Sequence, residues 1–234
     1  MPTESEPLED VARRVFDPAV IHAAAADVLR LYIEAPVTLK EPPSGGPPMT
    51  YRSSFDASYQ DAHNASNGGT SWIGAIGHLC FLDQLGQVVR PVGGPRDAGP
   101  SHVERALQYF TDLGADQRAA LYALRNCLAH DFGLAHSSDS TRPERRRQLT
   151  HKFELRSTRE HAVVEVPREP WDGTMTPAPT NAATTRVDIA GLSDLVDDVF
   201  ARVKHSHETG ELRLRPKKSI VVRRRFLFWQ QEMS

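Results

Sequence analysis

Within LRNCLAHDFGLAH, residues 124–136, Arg125 and Asn126 are adjacent and His130 follows after three more residues. These side-chain types can hold a phosphate and move a proton, which is what metal-free RNA cleavage needs. To cleave RNA without a metal, the ribose 2′-OH must attack the neighbouring phosphate, and some group has to handle its proton. Histidine is the side chain whose unperturbed pKa lies nearest neutrality. Negative charge grows on the phosphorane oxygens, and a guanidinium can bind two of them at once. In this reading His130 is general base or acid and Arg125 clamps the phosphate. Asn126 orients His130 or the phosphate through its amide.

The spacing matters as much as the types. On a straight α-helix of roughly 100° per residue, Asn126 and His130 stand about 40° apart, one above the other, but Arg125 and His130 stand about 140° apart. Three arrangements would aim both at one phosphate. The arginine side chain curls round, the helix distorts near Asp131, or a second subunit completes the site. The same residues also admit a structural role. Arg125 could bridge to an acid such as Asp131 or Glu104, His130 could hydrogen-bond the chain at the helix end, and Asn126 could hold the following loop.

Two fragments of the stretch, RNCL and DFGLA, also occur in the catalytic half of protein tyrosine kinases. A kinase needs a glycine-rich loop, a lysine on a following strand and a catalytic Asp upstream. ALYAL precedes Arg125 where HRD would stand, and no GxGxxG opens a strand. Asp131-Phe132-Gly133 reads instead as a helix exit, with the glycine ending the helix and Phe132 packing down.

The elements that must position these residues follow from pattern. A helix over 17–35 starts at Asp17-Pro18, where Asp can cap and proline is tolerated, and stops before Pro36. Residues 36–70, punctuated by Pro42, Pro43, Gly45, Gly46, Pro47 and Pro48, read as a long loop. SWIGAIGHLCFLDQLGQVV predicts a buried helix over 71–89, in which Gly74 and Gly77 can allow close helix packing. Ser101 to Glu104 forms a capping box. Two helices fill 101–131, joined near Gly114, with Leu121, Leu124 and Leu128 on one face of the second. HKFELRS and HAVVEVP suggest a β-hairpin over 150–167. Ile189, Leu192, Leu195, Val196, Val199, Phe200 and Val203 mark an amphipathic helix over 189–206, and 211–234 is a basic and aromatic tail with room for one more strand.

Basic residues gather twice more. Arg223, Arg224 and Arg225 in the tail, with Trp229 close behind, can track phosphates and stack a base, although a charged edge strand is the simpler account. Arg142, Arg145, Arg146 and Arg147 follow the motif, where loop solvation explains them as simply. His205, His207 and Glu208 lack further ligands at suitable spacing, so no metal site is assigned. Cys127 reads as a small packed residue, His22 and His78 as ordinary histidines, and Trp72 and Trp171 as structural.

The bulk numbers bound the class. Of 234 residues, 39% are hydrophobic and 25% charged, enough for a core plus polar loops. A net charge of −2 means that any nucleic-acid surface must come from local clustering. Two distant cysteines outside any CxxC pattern suggest a reducing compartment. MPTESEPLED lacks the apolar core of a signal peptide, and no run reaches about eighteen apolar residues. A cytoplasmic protein with no membrane association is the expectation.

Arg125-Asn126-xxx-His130 near the end of an apolar helix resembles the motif of the HEPN superfamily. The resemblance covers the helical stretch 71–136, with Leu192–Val203 as a last helix. It implies a mainly α fold, a single HEPN-like helical bundle over 1–234 with a small β-hairpin inserted before the last long helix. It also implies a metal-independent endoribonuclease, a toxin or defence effector without a cofactor, with Arg125, Asn126 and His130 as catalytic residues. Partners on this reading are RNA, a second copy of the chain that builds a composite site, and an antitoxin-like protein. The alternative within the family is a non-catalytic dimerisation or protein- or RNA-binding module.

Overall fold

The computed structural model describes residues 6–20, 22–66, 71–95, 99–137, 141–159, 162–174, 183–215 and 219–230. The fold is helix-rich with small sheets, and the chain divides into two units. The first is Met1–Ser58 with Gln87–Gly93 and Val203–Ser234; the second is Tyr59–Gly86 with Gly94–Arg202.

In the first unit, α1 (Leu8–Phe16) buries Val11, Ala12 and Val15, and α2 (Ala25–Glu34) buries Val28, Leu29, Leu31, Tyr32 and Ile33. The expected helix over 17–35 therefore starts only at Ala25. Asp17 accepts from the Ala19 N–H at 2.8 Å, and its carbonyl accepts from Val20 at 3.0 Å, so Asp17-Pro18 closes a turn of its own. The expected loop over 36–70 is also corrected. It contains β1 (Val37–Leu39), β2 (Met49–Ser53) and the helix α3 (Ser54–Ser66). The two strands pair antiparallel, and the proline- and glycine-rich segment is their connection, with Gly45 and Gly46 at φ of +74° and +103°. In the tail, the single expected strand is replaced by β8 (Leu212–Leu214), α9 (Ser219–Phe226) and β9 (Leu227–Gln230). β9 adds to the free edge of β2, and β8 pairs with β3 (Val89–Pro91).

The second unit is built on helices. α4 (Trp72–Val88) runs close to α3, as its glycines predict: a Cβ on Gly77 would sit 2.8 Å from that of Ala62, and one on Gly74 would strike Ser66. α5 (His102–Phe110) begins at Ser101, whose hydroxyl accepts from the Glu104 N–H at 3.1 Å and donates to its carboxylate at 2.6 Å. α6 (Ala115–Asn126) follows, and Leu121, Leu124 and Leu128 are buried, each contributing about 2 kcal/mol of burial. α8 (Ile189–Glu208) packs its aromatic Phe200 flat on Tyr59 with ring centroids 3.9 Å apart.

The expected hairpin over 150–167 does not form. β5 (His151–Arg156) and β6 (Val164–Glu165) both pair with β7 (Thr184–Asp188), which lies between them in the order β4-β5-β7-β6. β7 buries four of its five residues, so it takes the central place that the less apolar two-residue β6 cannot fill. A helical turn of basic residues, α7 (Pro143–Leu149), precedes β5, and β4 (Ala135–His136) pairs on its other edge.

Candidate functional site

The apolar face of α6 carries the motif to its last turn, and Arg125 and Asn126 are the final two residues of that helix. The chain then makes a π-turn, Cys127–Asp131, whose closing bond runs from the Phe132 N–H back to the Cys127 carbonyl. A turn that closes one residue later brings residues five apart, not four, toward one face. Arg125 and His130 are five apart. The helix distortion that the sequence left open near Asp131 is present, between Cys127 and Asp131.

Two features hold this turn. Cys127 and Leu128 are buried, and burial pushes the Cys127 thiol up to about 12, so it packs as a neutral group. Beyond the turn, the Phe153 N–H donates to the Leu134 carbonyl at 2.7 Å and β4 pairs with β5. The helix exit itself is a correction. Phe132, not Gly133, takes the left-handed conformation at φ +50°, and its ring is 60% exposed instead of packed down. The ring lies 6.2 Å from that of Trp72, which is also exposed at the start of α4.

Arg125 is half-buried but poorly satisfied. Its Nη2 is 3.5 Å from Asp83 Oδ2, its Nη1 is 3.4 Å from Asn126 Oδ1, and its buried Nε has no partner. Contacts at that length are weak. Arg145 in the same unit is the contrast: it holds the buried Glu104 with both terminal nitrogens at 2.9 Å. Glu104 is thus Arg145's partner, and the acid beside Arg125 is Asp83. Asn126 turns its amide oxygen toward Arg125. His130 is exposed, and its ring makes no hydrogen bond to the described residues.

Asp83 and His102 are the residues that sequence reasoning missed. Asp83 Oδ1 lies 3.9 Å from His102 Nδ1 at the start of α5, so one carboxylate faces an imidazole and the Arg125 guanidinium. A signal for Asp83 exists in the chain, since it is the only charged residue in the apolar run of α4. Packing holds the Cys80 thiol, one turn earlier, above its usual range, with Arg125 pulling it down and Asp83 adding to the rise. Among the described residues no group of three or more His, Cys, Asp or Glu is placed to hold a metal.

The remaining candidates sit elsewhere. Arg223, Arg224, Arg225 and Trp229 belong to the first unit. Arg223 donates to the Val20 carbonyl at 2.9 Å and lies over the Phe16 ring, so it helps fasten α9. Arg224, Arg225 and Trp229 are exposed. His207 bonds Glu34 at 2.9 Å. No described helix is long and apolar enough to cross a membrane. Comparison with protein-family models, curated proteins and solved structures finds no match to this chain.

Proposed function

We propose that the chain is a metal-independent endoribonuclease whose site is Arg125, Asn126 and His130. The observation that carries this reading is the under-satisfied guanidinium of Arg125, half-buried at a helix end, with the exposed His130 one π-turn onward. An arginine kept for stability is gripped as Arg145 is; Arg125 retains donors for an anion.

The chemistry follows from the side chains. The O2′–P bond forms as His130 takes the 2′ proton, Arg125 holds the charge on the non-bridging oxygens, and Asn126 keeps the guanidinium in place. The P–O5′ bond breaks, and the 5′ oxygen leaves with a proton from water, while His130 returns the 2′ proton to solvent. The products are a 2′,3′-cyclic phosphate and a 5′-hydroxyl. This chemistry and the HEPN resemblance support a role as a toxin or defence effector, with a second copy of the chain and an antitoxin-like protein as partners.

The test is cleavage of labelled RNA in EDTA by wild type, His130→Ala and Arg125→Ala, with circular dichroism on each. Loss of cleavage in folded variants is the expected result. Full activity in the double variant, or a requirement for added metal, overturns the reading.

One observation favours a non-catalytic HEPN-like binding module instead: the contact of Arg125 with Asp83, which gives the arginine a structural partner. On that reading Arg125→Ala and Asp83→Ala lose stability in a coupled way in a double-mutant cycle, and wild type cleaves nothing.

A further inference from the structure

Three adjoining clefts run along the sheet side of the second unit, and each shares lining residues with the next. The first, of about 170 Å³, is lined by Arg147, Arg168 and Trp171 among others. Trp171 is also a wall of the second, of about 300 Å³, which contains Lys152 and Thr184. Lys152 and Thr184 line the third, of about 410 Å³, which ends at Trp72. Trp72 faces Phe132, two residues beyond His130. The clefts thus form one trough from Trp171 to Trp72, whose ring neighbours that of Phe132.

The lining is mixed in charge: Asp116 stands in the first cleft and Glu169 in the second, beside the cations. Aromatic rings stand at both ends, and the cationic side chains of Arg147, Arg168 and Lys152 have no hydrogen-bond or ion-pair partner among the described residues. The acid Glu154 on the trough wall is held by Arg156 at 2.9 Å and Arg186 at 3.2 Å, and the Asp172 carboxylate accepts from the Thr174 N–H and hydroxyl. Exposed rings at the two ends and uncommitted cations along the wall suit a single strand of nucleic acid: flat faces for unpaired bases and charges for the phosphates between them. A duplex keeps its bases stacked on each other and offers nothing to either indole.

Resting on the ribonuclease reading, we propose that this trough is the substrate track, which binds single-stranded RNA and leads it to His130. Trp171 stacks one base, Trp72 and Phe132 receive another beside the scissile phosphate, and Lys152, Arg147 and Arg168 hold the phosphates between.

The experiment uses the full chain carrying His130→Ala and a fluorescein-labelled single-stranded RNA decamer in EDTA, read by anisotropy. Adding Trp171→Ala or Lys152→Glu is expected to weaken binding at least fivefold, and Trp171→Phe to restore most of it. Phe132→Gly, which suits the left-handed backbone, is expected to weaken binding without loss of stability. An unchanged affinity in the folded Trp171→Ala and Lys152→Glu variants overturns the track. Absence of binding by the His130→Ala chain, or equal competition by a duplex of the same sequence, also overturns it. The two readings fail separately. Wild-type cleavage with an unchanged kcat/KM in Trp171→Ala and Lys152→Glu removes the track and leaves the ribonuclease; track-dependent binding with no cleavage by wild type removes the ribonuclease and leaves the track.

Discussion

Asp83 Oδ2 stands 3.5 Å from Arg125 Nη2, near enough to attract the guanidinium and too far to pair with it tightly. The other carboxylate oxygen faces His102 at 3.9 Å. In the ribonuclease reading the carboxylate both positions Arg125 and repels the incoming phosphate. Asp83→Asn is therefore expected to lower kcat about tenfold while KM falls, with stability changed by less than about 1 kcal/mol, since the pair is partly exposed. Steady-state cleavage of a defined RNA separates the two constants; an unchanged kcat would leave Asp83 no part in placing the arginine.

Arg145 is the structural counterpart. It fastens α7 to the buried Glu104 at the start of α5, and its guanidinium lies over the Tyr122 ring at 5.6 Å. Arg145→Ala strands a buried carboxylate and is expected to cost about 3 kcal/mol. Urea unfolding measures the loss. Arg125→Ala, whose contacts are long, is expected to cost less than half as much in the same assay.

His78 makes stability depend on pH. It is fully buried; Ser66 Oγ donates to the Ala62 carbonyl at 2.8 Å and so accepts from the His78 Nε2–H at 2.9 Å, which leaves Nδ1 as an unpaired acceptor. Burial pushes its pKa down to about 4, against a pull upward from Asp197 and a smaller push down from His63. Above about pH 6.5 the ring is neutral in both states and contributes no pH dependence. As pH falls from there toward 4, the unfolded chain takes a proton that the folded one refuses, so stability is lost through that window, by up to about 3 kcal/mol. Unfolding midpoints at pH 7.5 and 5 are expected to diverge in wild type and to diverge less in His78→Gln, where buried His151, also held low by burial, still acts in the same direction. A parallel decline in both proteins would assign the pH dependence to other groups.

Gly86 is a helix residue that alanine should not improve. On an exposed helix face Gly→Ala gains up to about 1 kcal/mol. Here a new Cβ would collide with the His102 carbonyl. Gly86→Ala is expected to destabilise by about 2 kcal/mol and to displace His102 from Asp83. Thermal unfolding gives the sign, and a stabilised variant would mean that α5 yields freely at this crossing.

Much of the helical frame was legible because periodicity is local. The run from Ser71, the leucines of α6, the Ser101 cap and the stripe on α8 all report what a helix must bury, and the structure has those helices at nearly those bounds. The close approach of α3 and α4 was written in Gly74 and Gly77. The strands were less legible. VTL and MTYRS are short and lie among prolines and glycines, and β7 follows a long polar segment, so nothing local announces a partner. Strand pairing depends on residues far along the chain, and the central place went to the strand with the most to bury.

The candidate site divides the same way. The amino-acid sequence by itself determined which side chains are available, an arginine, an asparagine and a histidine at the end of an apolar helix, and which reaction those types suit. Only the tertiary structure decided their setting. The π-turn at the end of the motif helix packs Cys127 and Leu128 inside and leads into β4, which pairs with β5. Asp83 and His102 come to Arg125 from helices 42 and 23 residues upstream, by subtraction of their numbers in the chain. The trough arises because the fold lays the loop carrying Trp171 beside the strand carrying Lys152. Residue type is a local property of the chain; the field around Arg125 is a sum over neighbours that only packing brings within a few ångströms.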